Sequence, residues 1–91
     1  MIKLTILTEE DQNNICSKCC KTVQVIDRMM EAFPDFKNKI ELSYEDYESL
    51  TIINKYGRRQ IPAIFINDVI FSEGHVPIIK KLTRELIEFL K

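Results

Sequence analysis

Apolar residues along this chain change their repeat distance several times, so strands and helices must alternate along it. Ile2, Leu4 and Ile6 recur every second position, with Leu7 closing the run, which is the pattern of a β-strand with one buried face. After a polar stretch, Glu9 to Asn14, the spacing lengthens to three and four. Cys19, Val23, Ile26, Met30 and Phe33 form one stripe, which predicts an amphipathic helix from about Cys16 to Phe33, ended by Pro34. Asp35 to Asn38 read as a turn. Ile40, Leu42 and Tyr44 return to period two. A second helix is predicted from about Asp46 to Tyr56, with Asp46 as N-cap and Leu50, Ile53 and Tyr56 on its inner face. Gly57 suits a left-handed helix end.

The last third repeats the change of period. Ala63-Ile64-Phe65-Ile66 is continuously apolar, Asn67-Asp68 is a two-residue turn without the favoured glycine, and Val69-Ile70-Phe71 returns as a hairpin partner. Pro77 suits the first turn of a final helix with Ile79, Leu82, Leu86 and Phe89 facing inward. The expected fold class is therefore α/β, in the order β-α-β-α-β-β-α. Strands one and two are joined through a helix and should be parallel, with a right-handed crossover. The hairpin adds an antiparallel pair, giving a four-stranded mixed sheet flanked by three helices. At 91 residues the chain has room for one core, so residues 1–91 are expected to form a single domain, read as a monomer.

Composition narrows the function classes. With 13 basic and 14 acidic side chains the formal net charge is −1, which gives no reason to expect nucleic acid or an acidic membrane as partner. Arg58-Arg59 is an isolated basic pair, read as a solvated loop. No apolar run approaches the roughly 20 residues that span a bilayer. The N-terminus enters a strand pattern at once and meets Glu9-Glu10-Asp11, a poor signal peptide, so the expected location is the cytoplasm. All 3 cysteines fall within five positions, unlike the spread of a secreted disulfide framework.

Cys16-Ser17-Lys18-Cys19 is a C-x-x-C motif at a predicted helix start. Unpaired N–H groups and the macrodipole there favour an anion, and the thiolate is the nucleophilic form of cysteine. A modest lowering of the Cys16 pKa from the usual value of ~8.5 is expected, helped by Lys18 and Lys21 and opposed by Glu9-Glu10-Asp11 if these lie close. Cys19 belongs to the buried stripe. The roles then separate: Cys16 attacks a disulfide and Cys19 resolves the mixed disulfide, since positions i and i+3 of a helical turn lie within disulfide reach. C-x-x-C also occurs in zinc sites, but a structural zinc needs four ligands, and only Cys20 and His75 remain as obvious partners.

Tyr56-Gly57-Arg58-Arg59-Gln60-Ile61-Pro62 before a buried strand, together with Cys16-Ser17-Lys18-Cys19 after a first strand, resembles the thioredoxin superfamily. The chain is most similar to its small thioredoxin/glutaredoxin-like redox-active disulfide proteins of archaea and bacteria, whose Gly-x-Val-Pro segment is matched by Gly74-His75-Val76-Pro77. The resemblance spans almost the whole chain and implies a thioredoxin-like fold and a thiol–disulfide oxidoreductase. Cys16 would be the nucleophile and Cys19 the resolving thiol. The Ile61–Pro62 bond would be cis, beside the disulfide, with the Ile61 backbone open to pair with an extended substrate. It implies no metal and no cofactor beyond the Cys16–Cys19 disulfide. Partners would be a disulfide-containing protein or small thiol, and a reductase or low-molecular-weight thiol as electron donor.

Three departures from the family pattern qualify the resemblance. Ser17 stands where the family has proline, and no tryptophan or glycine precedes Cys16. No carboxylate can be aligned as proton acceptor for Cys19, with Glu9 and Glu10 as candidates. Cys20 follows Cys19 directly and can share a helix face with Cys16. Ser17, Lys18 and Cys20 are therefore candidate modulators. Two other readings stay open: a soft-metal or metalloid module using Cys16, Cys19 and Cys20, and a non-catalytic adaptor of the same fold. His75 is expected to be exposed on a loop, and Tyr44, Tyr47 and Tyr56 to pack around the second helix.

Overall fold

The period-two run at the N-terminus becomes one of the two inner strands of the sheet in a computed structural model that describes residues 2–9 and 17–90, without the side chains of Ser17 and Lys18. In chain order the elements are β1 (Ile2–Thr8), α1 (Ser17–Ala32), α2 (Pro34–Lys39), β2 (Ile40–Asp46), α3 (Leu50–Tyr56), β3 (Ala63–Ile66), β4 (Val69–Glu73) and α4 (Ile79–Leu90). The four strands lie in the order β2-β1-β3-β4. β1 and β2 are parallel, with Ile2 opposite Ile40 and Thr8 opposite Asp46. β1 and β3 are antiparallel, Leu7 facing Ala63, and β3 and β4 form the hairpin. Asn67 and Asp68 both have positive φ, 50° and 67°, the type I′ geometry that matches strand twist without a glycine.

Alternation in the strands sorts side chains to two faces. Leu4, Ile6, Ile64 and Ile66 meet Ile26 and Met29 of α1 and Leu82 and Leu86 of α4. On the opposite face Leu7, Ala63 and Phe65 pack against Ile52 and Tyr56 of α3. The sheet is thus sandwiched between α1 with α4 and the short α3. Each fully buried aliphatic side chain contributes about 1.5–3 kcal/mol of transfer free energy, so both faces are held.

Several sequence expectations are corrected. Among the described residues there are four helices, because 34–39 is a short helix and not a turn: Pro34, just past the end of α1, opens α2, where a missing N–H costs nothing. Phe36 then becomes a buried anchor of α2. Phe33, expected inside, is 40 % exposed and stacks on Phe36 with ring centroids 5.0 Å apart. The helix expected from Asp46 starts at Leu50, with Ser49 at the N-cap position. Asp46 instead ends β2 and its Oδ1 accepts the Glu48 N–H at 3.0 Å, a local turn that competes with helix initiation. In α3 Ile52 and Tyr56 are buried while Leu50 is 76 % exposed, and in α4 Phe89 points outward. Gly57 has a positive φ of 79°, but its ψ of −179° is extended and not left-handed helical. Tyr47 and Tyr56 do pack on the α3 side, whereas Tyr44 lies opposite Ile6, on the α1 face of the edge strand.

Candidate functional site

The sheet's connections bring two distant parts of the chain to one end. α1 must return the chain to the start of β2, which is parallel to β1, so its first turn lies at the C-terminal end of β1. Ile61 and Pro62 lead into β3, whose Ala63 pairs with Leu7 at that same end. The first turn of α1 contains Cys19, which is fully buried, and Cys20, which is half-buried. Thr22, one turn further, is a fully buried polar residue on the same stripe, which hydrophobic spacing had passed over. Cys16 lies outside the described residues, as do the side chains of Ser17 and Lys18 and the candidates Glu10 and Asp11. Glu9 is half-buried at the end of β1, and its charge, after the nearer Glu48, helps raise the pKa of the Tyr47 phenol. Lys21 is exposed.

The Ile61–Pro62 peptide bond is cis. Pro62 is buried and its carbonyl accepts the Gly74 N–H at 3.0 Å, joining this turn to the end of β4. Ile61 packs beside Leu7, Tyr56 and Phe65, and among the described residues neither its N–H nor its carbonyl has a hydrogen-bond partner. The preceding loop is held from both sides. Gly57 N–H donates to the Ile53 carbonyl at 2.8 Å. Arg59 Nε donates to the Tyr56 carbonyl at 2.9 Å, and its guanidinium lies over the Phe65 ring, 5.6 Å from the centroid. Glu73, the last residue of β4, takes Arg59 through Oε1 at 3.4 Å and the Gln60 N–H through Oε2 at 3.1 Å. Gly74 has φ 81°, and a Cβ there would meet the Gln60 side chain at 2.8 Å, so loop and strand end approach closely.

Half of the basic pair read as a solvated loop is therefore structural. Arg58 is exposed, but Arg59 is half-buried and braces the turn. No local signal marks this, because its partner Glu73 is 14 residues away and meets it only when the hairpin forms. His75 is exposed, with Nδ1 3.1 Å from the Val76 carbonyl. Among the described residues no three His, Cys, Asp or Glu side chains gather as a metal site. Nor is any described helix long and apolar enough to cross a membrane.

A two-layer-on-sheet fold of this order, with a buried half-site cysteine opening α1 and a cis-proline before β3, defines a thioredoxin-fold protein. A family model described as thioredoxin domain matches residues 7–88, and the chain belongs to that family. Two solved structures are similar in fold. Thioredoxin O2 from Arabidopsis thaliana, in its oxidised state, superposes with a TM-score of 0.61 at 17 % identity, over 100 % of this chain and 76 % of that one. A protein of unknown function from Staphylococcus aureus gives 0.59 at 16 % identity, over 98 % and 91 %. No curated protein matches in sequence.

Proposed function

We propose that the protein is a thiol–disulfide oxidoreductase that reduces disulfides in a protein or a small thiol through Cys16 and Cys19. The observation that carries this reading is that a fully buried cysteine in the first turn of α1 and the Ile61–Pro62 turn lie at the same end of the sheet. A buried second thiol of a C-x-x-C motif suits the resolving role, since it is shielded from outside reagents yet three residues from the first. The unpaired backbone of Ile61 suits pairing with an extended substrate segment, as in strand addition. Membership of the thioredoxin-domain family supports redox chemistry of this type.

The reaction balances as two exchanges. The Cys16 thiolate attacks one sulfur of the substrate disulfide; that S–S bond breaks, the first substrate thiol leaves and takes up a proton, and a mixed disulfide remains. The Cys19 sulfur, giving up its proton, attacks Cys16 and expels the second substrate thiol. The substrate gains two electrons and the protein is left with a Cys16–Cys19 disulfide. A dithiol reductase or a low-molecular-weight thiol of the cytoplasm restores the dithiol.

Trapping tests the reading. Cys19→Ser should accumulate a covalent complex between Cys16 and the substrate, visible by non-reducing electrophoresis and lost with dithiothreitol. Cys16→Ser should lose at least a hundredfold in disulfide turnover, on the order expected when a nucleophile is removed. Equal turnover by Cys16→Ser and the unaltered protein would sink the proposal.

A further inference from the structure

Beside the Ile61–Pro62 turn lies an open cavity of about 480 Å³ lined by Arg58, Arg59, Gln60 and Glu73. Its two arginines are not equivalent. Arg59 is committed to Glu73, to the Tyr56 carbonyl and to the face of Phe65. The Glu73 carboxylate, in turn, is shared between Arg59 and the Gln60 N–H. Arg58 is exposed and, among the described residues, has no ion-pair or hydrogen-bond partner. One guanidinium charge is thus left over at the cavity, on a loop whose neighbours hold it in place. Among the described residues the cavity's lining holds one carboxylate, that of Glu73.

From these observations we infer that this cavity selects disulfides flanked by carboxylate side chains, with Arg58 as the residue that reads the charge. The inference rests on the oxidoreductase reading and names the substrate class for that same site. A guanidinium offers a planar fork of donors that matches a carboxylate, and it stays charged at every working pH. Reach agrees with this. Arg58 is three residues before Ile61, so the two backbones are at most about 10 Å apart, a span that roughly three residues of an extended substrate paired with Ile61 would cover. The occupant is therefore an acidic segment next to the reacting cysteine. Its carboxylate replaces water around Arg58 while the Glu73–Arg59 pair keeps the loop in register.

The test uses the full chain and three synthetic disulfide-linked peptides that differ only in carrying Glu, Gln or Lys on both sides of the cysteine, with dithiothreitol as electron donor. kcat/KM should fall in the order Glu, Gln, Lys, with about a threefold to tenfold span at low salt, the scale of one or two exposed ion pairs. Raising the salt concentration to 0.5 M should compress that span to near unity. Arg58→Glu should reverse the order. Arg84→Glu on α4 changes the net charge equally and should leave the order as it was. Equal kcat/KM for the three peptides, or a preference that survives Arg58→Glu, overturns the inference while leaving the oxidoreductase reading intact. Turnover of none of the three overturns both.

Discussion

Tyr44 illustrates how much of this protein's titration behaviour is set one residue at a time. It sits on the edge strand opposite Ile6, so its ring leans over the α1 face, where burial disfavours the phenolate and the Asp27 carboxylate repels it. Its pKa is pushed up to about 12 from an ordinary 10.0. Because the folded value is above the unfolded one, the stability this phenol contributes is fully present below pH 10.0 and is lost as the pH rises through about 12. Tyr44→Phe removes the ionisation. Its urea midpoint should therefore drop less between pH 9 and pH 11.5 than that of the unaltered protein; equal drops would contradict the assignment. Arg59, on the loop before β3, shows the complementary behaviour. A charged side chain in a loop became a brace, because planar guanidinium can stack on Phe65 and pair with Glu73 at once.

At the scale of elements, periodicity located α1, α3 and α4 but not always their inner faces. A repeat of three and four leaves two neighbouring phases open when apolar residues are plentiful, and packing then chooses between them. In α3 it chose Ile52 and Tyr56 over Leu50, because Leu7 and Phe65 of the sheet lie under that side. In α4 it chose Leu82 and Leu86 and left Phe89 46 % exposed. Leu86→Ala should cost about 2–5 kcal/mol in denaturant unfolding, as a filled core position is emptied. Phe89→Ala should cost well under half as much, despite the larger side chain, since much of its ring already meets water. A Phe89→Ala loss as large as that of Leu86→Ala would mean the helix is rotated. The short α2 escaped notice because its six residues offer one buried apolar anchor, Phe36, too few to show a period.

Across the whole molecule, the hairpin turn ties together segments that are far apart in sequence. Tyr56 at the end of α3 donates its hydroxyl to Asp68 at 2.5 Å, while Lys3 of β1 and Lys55 of α3 approach the same carboxylate at 3.9 and 3.5 Å. The Tyr56 hydrogen bond, with the two ammonium charges assisting, lowers the Asp68 pKa below its ordinary 3.8. A depressed folded value means that this carboxylate stabilises the fold above the ordinary value and that the contribution fades as pH falls through the lowered one. Asp68→Asn should therefore be less stable than the unaltered protein at pH 7, and the gap should close on acidification towards pH 2. A gap that stays constant from pH 7 to pH 2 would refute the linkage. The same long-range joining built the candidate site, where the first turn of α1, the Ile61–Pro62 turn and the end of β4 converge.

Residue order was enough for the four strands, three of the four described helices, the parallel and antiparallel pairings and the candidate motif. Alternation, helical stripes, Pro34 and Asn67-Asp68 act between near neighbours, and near-neighbour geometry is the same wherever the chain goes. Cys19 was legible as buried for that reason, and Ile61-Pro62 because it stands directly before a continuous apolar strand. Long-range packing set which helix face turned inward, that Tyr44 left the other two tyrosines, and that Arg59 was bound while Arg58 stayed open. Those outcomes depend on distant groups arriving within a few ångströms of each other, as Arg59 and Glu73 do across 14 positions. Chain reversal at the hairpin and the crossover through α1 bring them there, and no periodicity in the sequence encodes which charge will be waiting.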